Sequence, residues 1–120
     1  MKVAISTAGD SLESNLDPRF GRCSYFLFVD QDSDEVKVVN NLENVELSGG
    51  AGIQSAELVV RNGADVIITG HCGPKAFSTL QAADIKIFPC QGMTAQQALE
   101  KFKQNELKPL NGPDVQSHWS

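Results

Sequence analysis

The groups able to do chemistry in this sequence are three cysteines, a histidine beside one of them, and two closely spaced arginines. Thiolate and imidazole are the ligands that suit soft metals and metal–sulfur centres, so His71 and Cys72, with Cys23 and Cys90, form the candidate metal set. The plainer reading of each is a small buried thiol or a hydrogen-bonded imidazole. Neither Cys23 nor Cys90 has CxxC spacing, and an odd number of cysteines fits a disulfide framework poorly, so reduced thiols are expected. Arg19 and Arg22 bracket Phe20-Gly21. They are candidate anion-binding forks, or partners for Asp17 and Asp10. Gly50 and Gly52, and Gly73 before Pro74, stand where helices should begin. Helix N-termini offer backbone amides to anions, and Lys75 adds a positive charge.

Other constellations are weaker. Asp30-x-Asp32-x-Asp34 opens like a calcium loop, but Glu35 and Asn41 stand where that loop needs glycine and glutamate, which leaves an acidic hairpin turn. The glycines at 49–52 lack the Lys-Ser/Thr ending of a P-loop, and no G-x-G-x-x-G follows a strand. A two-metal nuclease would need clustered carboxylates, one of them inside the first strand. That strand, Val3-Ala4-Ile5-Ser6-Thr7, has none, and Asp65 falls at the wrong end of its own strand.

The elements that must position these groups follow from periodicity. Strands are expected at 2–7, 25–29, 36–39, 65–69 and 85–88. Helices follow Gly52, Pro74 and Thr94, the last opened by a Thr94/Gln97 capping box. Ile53, Ala56, Val59 and Val60 form the stripe of the first helix, and Asn62-Gly63 stops it. Phe77, Leu80, Leu99 and Phe102 read as core. Residues 8–23 form a long loop, a length that is usually functional. The chain of 120 residues and 13.0 kDa is then one domain over 1–108 with a flexible polar tail at 109–120, Trp119 exposed or lightly docked. Ten basic against fifteen acidic residues give a net charge of −5, which excludes a general nucleic-acid binder. The N-terminus has no signal-peptide pattern and no apolar run reaches about 18 residues, so a cytoplasmic protein is expected.

The order β-β-β-α-β-α-β-α requires parallel pairing in its second half, by right-handed crossovers, and hairpins in its first. An α/β fold with a mixed five-stranded sheet in the order 3-2-1-4-5, strand two antiparallel, satisfies both. Ligands of open α/β sheets bind beyond the carboxyl ends of the strands, where the order reverses. That edge collects all three cysteines, His71, Arg19, Arg22, Lys75 and the two helix N-termini.

Asp17-Pro18-Arg19-Phe20-Gly21-Arg22 before an aromatic strand, Gly50-Ala51-Gly52-Ile53-Gln54, and Ile67-Ile68-Thr69-Gly70 through Gly73-Pro74-Lys75-Ala76-Phe77 occur in that order. Together they resemble the dinitrogenase iron–molybdenum cofactor biosynthesis family, the NifX-like group that includes the C-terminal domain of NifB and small stand-alone proteins. The resemblance covers about residues 1–103. It implies a ribonuclease-H-like three-layer fold. It also implies binding, carrying or protecting an iron–sulfur or molybdenum-containing cluster rather than turnover of a substrate, with cluster-assembly or nitrogenase-related proteins as partners. Other relatives hold a molybdenum–copper sulfide cluster without obligatory protein thiolate bonds. The arginine and glycine positions carry over as cluster-binding; Cys72 and Cys90 match no fixed family ligand. The rival readings are a thiol-dependent redox protein using Cys72, whose pKa a helix N-terminus would lower, and a plain interaction domain.

Overall fold

The computed structural model describes residues 1–45 and 50–111. The expectations for Gly49 and Trp119 lie outside them. Five strands, β1 Lys2–Thr7, β2 Tyr25–Asp30, β3 Val36–Asn40, β4 Val66–Thr69 and β5 Lys86–Pro89, form one sheet in the order β3-β2-β1-β4-β5. β2 runs antiparallel to β1 and β3, while β4 is parallel to β1 and β5. This is the mixed sheet that the hairpin and crossover arguments require.

Side chains of successive strand residues point to opposite faces. Ala4, Phe26, Phe28, Ile67 and Ile87 therefore share one face, where α2 (Ala51–Arg61) and α3 (Pro74–Ala82) cover them through Ala56, Val59, Ala76, Phe77 and Leu80. Val3, Ile5, Leu27, Val29, Val66 and Ile68 share the other, covered by α4 (Ala95–Lys103) through Ala95, Ala98 and Leu99. Covered on both faces, β4 reads as an unbroken apolar run. β3 has one paired edge only, and Val36 and Val38 on it are exposed.

The helix stripes differ in one place from the expectation. α2 buries Ala51, Ser55, Ala56, Leu58 and Val59, whereas Ile53 is half-buried and Val60 exposed. Gly50 at its N-cap is left-handed (φ 77°), and with no side-chain cap the small residues of the first turn lie inward. α4 opens with the expected capping box. Thr94 Oγ1 accepts from the Gln97 amide at 3.2 Å, and Gln97 Oε1 accepts from the Thr94 amide at 2.9 Å. Phe102 is half-buried and meets Phe88 edge-on, with ring centroids 5.0 Å apart. Asp30 to Glu35 is the acidic turn expected: Asp30 Oδ1 accepts from the Asp32 amide, which holds its carboxyl below the usual carboxylate range. Leu110 donates its amide to the Ile87 carbonyl at 2.7 Å and packs on the core.

One short helix, α1 (Leu42–Val45), stands where the sequence pattern predicts no element. Four residues are too few to show a period. What stops the chain there is the buried Asn41, whose carbonyl accepts from the amides of Asn44 and Val45.

Candidate functional site

The edge at which β1, β4 and β5 end is also where β2 begins and β3 ends, as the registers Thr7↔Tyr25, Tyr25↔Asn40 and Thr69↔Pro89 show. The loop at 8–23 folds back over this edge and is tied to it three times. Thr7 bridges Leu16, Asn15 bridges Thr94, and Arg19 bridges His71. At the last of these the His71 amide donates to the Pro18 carbonyl at 2.6 Å and the Phe20 amide to the His71 carbonyl at 3.3 Å. Gly70 makes this approach possible: a Cβ there would stand 2.5 Å from Pro18 Cα and 2.7 Å from Pro18 O. Beneath the loop, Ser6 Oγ lies 2.8 Å from the Asp17 carbonyl and 2.7 Å from Thr69 Oγ1, so a buried hydroxyl pair supports it.

The arginines sit on the ordered end of this loop. Asp17 is buried and its Oδ1 accepts from Arg19 twice, from the backbone amide at 3.0 Å and from Nε at 3.4 Å. The sequence expectation that Asp17 could partner an arginine holds for Arg19, whose side chain remains about half exposed (53%). Phe20–Arg22 form a single 3₁₀ turn rather than an irregular loop. Phe20 anchors it in the core against Phe26, with ring centroids 5.4 Å apart. Half-buried Arg22 donates from Nη1 to the Val45 carbonyl at 2.9 Å. The turn packs on the start of α2, where Ser55 Oγ donates to the Gly21 carbonyl at 3.4 Å. Asn41 joins the pieces: its Nδ2 donates to the Cys23 carbonyl at 2.9 Å, and its Oδ1 accepts from Ser55 and Asn44. Asn41 and Ser55, 19 and 33 residues along the chain from Arg22, thus hold the turn that carries it. No local pattern marks them, and only their burial as polar residues does.

His71 is half-buried beside fully buried Cys72, whose Sγ lies 3.7 Å from the Gly73 carbonyl. Gly73 is the N-cap of α3 and Pro74 its first residue, so Lys75, exposed, is in the first turn. Gly50 caps α2, with Gly52 buried in its first turn. Arg19, Arg22, His71, Cys72, Gly73, Lys75, Gly50 and Gly52 therefore sit on one side of the edge, over the layer of α2 and α3.

The cysteines divide. None of the three is in a disulfide. Cys23 and Cys72 lie in the core between the sheet and α2–α3, both with no exposed surface. Burial, and then the nearby Asp17 charge, push the Cys23 thiol well above its ordinary value, and its Sγ lies 3.3 Å from the Phe20 carbonyl. Cys90 is at the same end of the sheet, its amide on the Thr69 carbonyl, but it belongs to the α4 layer on the opposite face. Its Sγ lies 3.5 Å from Met93 Sδ. Among the described residues no three His, Cys, Asp or Glu side chains come together as a metal-holding group. What the edge offers is charge, backbone amides and one half-buried imidazole, with the Cys72 thiol buried in the core beside it. Asp65, on β4's other end, accepts the Lys2 amide and takes no part.

This fold is that of a known class. Residues 1–105 match the dinitrogenase iron-molybdenum cofactor family, and the chain belongs to it. The apo orange protein of Desulfovibrio gigas is similar over 95% of this chain and 96% of its own, at 38% identity and a TM-score of 0.93. A candidate NifB protein of Thermotoga is similar at 32% identity over 95% and 97% of the two chains, with a TM-score of 0.84. An uncharacterized protein of Methanocaldococcus jannaschii is 29% identical over 90% of this chain and 94% of its own.

Proposed function

We infer that this protein binds, carries or protects an anionic metal–sulfur cluster of the iron–sulfur or molybdenum-containing type during cofactor biosynthesis, without catalysing turnover. The observation that carries the reading is the Arg19–His71 bridge, which seats the arginine-bearing loop on the end of β4 beside the first turn of α3. Arg19, Arg22 and Lys75 would offset the negative charge of the cluster. The amides near Gly50–Gly52 and Gly73–Lys75 would hydrogen-bond its sulfurs. His71 would face the cargo with Cys72 behind it, and Cys23 would remain a protonated core thiol. The absence of a three-ligand group among the described residues favours a cluster held whole, by charge and hydrogen bonds. Such cargo would be received from and passed to cluster-assembly or nitrogenase-related proteins in the cytoplasm. No helix among the described residues is long and apolar enough to cross a membrane.

Two probes test this: ferrous iron with sulfide, and tetrathiomolybdate without copper, each added without oxygen and followed by bound metal per chain and visible absorption. A charge-assisted hydrogen bond is worth about 1.5–3 kcal/mol, so Arg19→Ala or Arg22→Ala should weaken retention by roughly 10- to 100-fold. Arg22→Lys keeps the charge and loses the fork, and should fall between. Because Arg22 also holds the Val45 carbonyl, melting curves accompany each variant. Retention at the parent level in folded Arg19→Ala and Arg22→Ala would overturn the electrostatic cradle.

A further inference from the structure

Cys90 is separated by the sheet from the edge cradle, and it faces another sulfur. The chain leaves β5 at Pro89, turns through Gly92 in the left-handed region (φ 79°), and re-enters the core at Met93. That turn brings the thiol of residue 90 and the thioether of residue 93 to 3.5 Å. The Met93 backbone is fixed from a third direction, its carbonyl accepting the Leu16 amide at 2.9 Å, and Thr94 beyond it bridges Asn15. Cys90 belongs to the apolar cluster of Leu16, Ala95 and Leu99, against which Met93 and Phe88 pack.

We propose that Cys90 and Met93 form a two-sulfur site for a soft monovalent cation, copper(I) in the first place, distinct from the edge cradle. Thiolate and thioether are the donors that select such an ion. On binding, the ion takes the place of the thiol proton between the two sulfurs, and that proton leaves to solvent. No electron is transferred. A +1 ion with one thiolate and one thioether is neutral, which an apolar surround tolerates; a divalent ion would leave a buried positive charge.

The geometry allows the exchange. With metal–thiolate bonds of ~2.3 Å, two sulfurs 3.5 Å apart subtend roughly 100° at the ion. A wider angle, which low-coordinate copper(I) favours, needs only a swing of the methionine, whose three rotatable bonds make it the adaptable partner. Met93 also lines a surface cleft with Gly92, Gln96, Gln97, Glu100 and Lys101, which gives an ion a route to the thioether.

The test uses copper(I) alone, without sulfide, so that it stands or falls independently of the cluster reading. The full-length chain is titrated without oxygen against a chromophoric copper(I) chelator, and the bound ion is examined by X-ray absorption. The expected result is one copper per chain with a shell of sulfur only. Cys90→Ser should abolish it, and Met93→Leu, which keeps the volume, should weaken it by roughly tenfold or more, since even outer-shell partners of a metal are worth that. A parent that fails to take copper from the chelator, a shell containing nitrogen or oxygen, or Met93→Leu with parent affinity would each overturn the site. Met93→Leu keeps the test decisive even if Cys90→Ser does not fold.

Discussion

At the scale of single residues, the site depends on groups that do no chemistry themselves. Gly70 is one. Any Cβ there would overlap the Pro18 backbone, and backbone cannot rotate away as a side chain can. Gly70→Ala should therefore lift the 17–20 segment off β4 and destabilise the fold by about 1–3 kcal/mol, the usual cost of overpacking. A lower midpoint in urea at unchanged slope is the expected result, with the Arg19–His71 bridge loosened in amide exchange. Cys23 supplies a second prediction. Its folded-state pKa is raised above the ordinary 9.0, by burial first and by Asp17 second. The folded chain thus keeps a proton that the unfolded chain loses. The stabilising contribution is complete below pH 9 and is lost as pH rises from there towards the folded value, at up to about 1.4 kcal/mol per pH unit. Cys23→Ala should lose less melting temperature than the parent between pH 8 and 10, whatever its starting stability. The sequence placed Arg19, Arg22 and His71 at one edge, because topology sends their loops there. It offered Asp17 as an arginine partner but hid Asn41 and Ser55, whose roles lie in burial and partners far along the chain.

At the scale of elements, local rules located what local forces determine. The Thr94/Gln97 capping box was legible because both partners lie within four residues. Thr94→Ala should cost about 1 kcal/mol, as N-cap losses do, seen as a lowered urea midpoint with faster amide exchange in the first turn of α4. A shift well under half of that would mean that the bridge to Asn15, not the cap, holds this turn. The loop at 8–23 shows the opposite case. Its glycine, proline and polar residues mark it as a loop correctly, yet its three bridges join positions up to 79 residues apart, Asn15 with Thr94. No window of sequence contains both ends. The drift of the α2 stripe from Val60 towards Leu58 and Ser55 has the same origin. The 3₁₀ turn and Asn41 pack on that face and draw a serine inward that propensity would leave outside.

At the scale of the whole molecule, the sheet is a partition. The strand order could be read from the sequence because right-handed crossovers and hairpins leave few alternatives. The side of the sheet on which each thiol falls could not, since a residue just past a strand end is no longer bound by the two-residue period. Cys23 and Cys72 face α2 and α3 with no exposed surface, whereas Cys90, at 8% exposure, lies towards α4 next to the turn at 91–94. Reagents reach a core thiol only when the structure opens. Turns held by few bonds open locally at lower free energy than strands and helices at the centre. Iodoacetamide should therefore modify Cys90 first in the native protein. Cys23 and Cys72 should follow together, with a urea dependence equal to that of global unfolding, as read by mass spectrometry of peptides sampled over time. The same experiment weighs the thiol-redox alternative. A redox thiol at the N-terminus of α3 must be reached without unfolding and must be reactive as thiolate. Modification of Cys72 ahead of Cys90, with no dependence on urea, would favour that alternative over the cluster carrier and would show that the α2–α3 layer opens by itself.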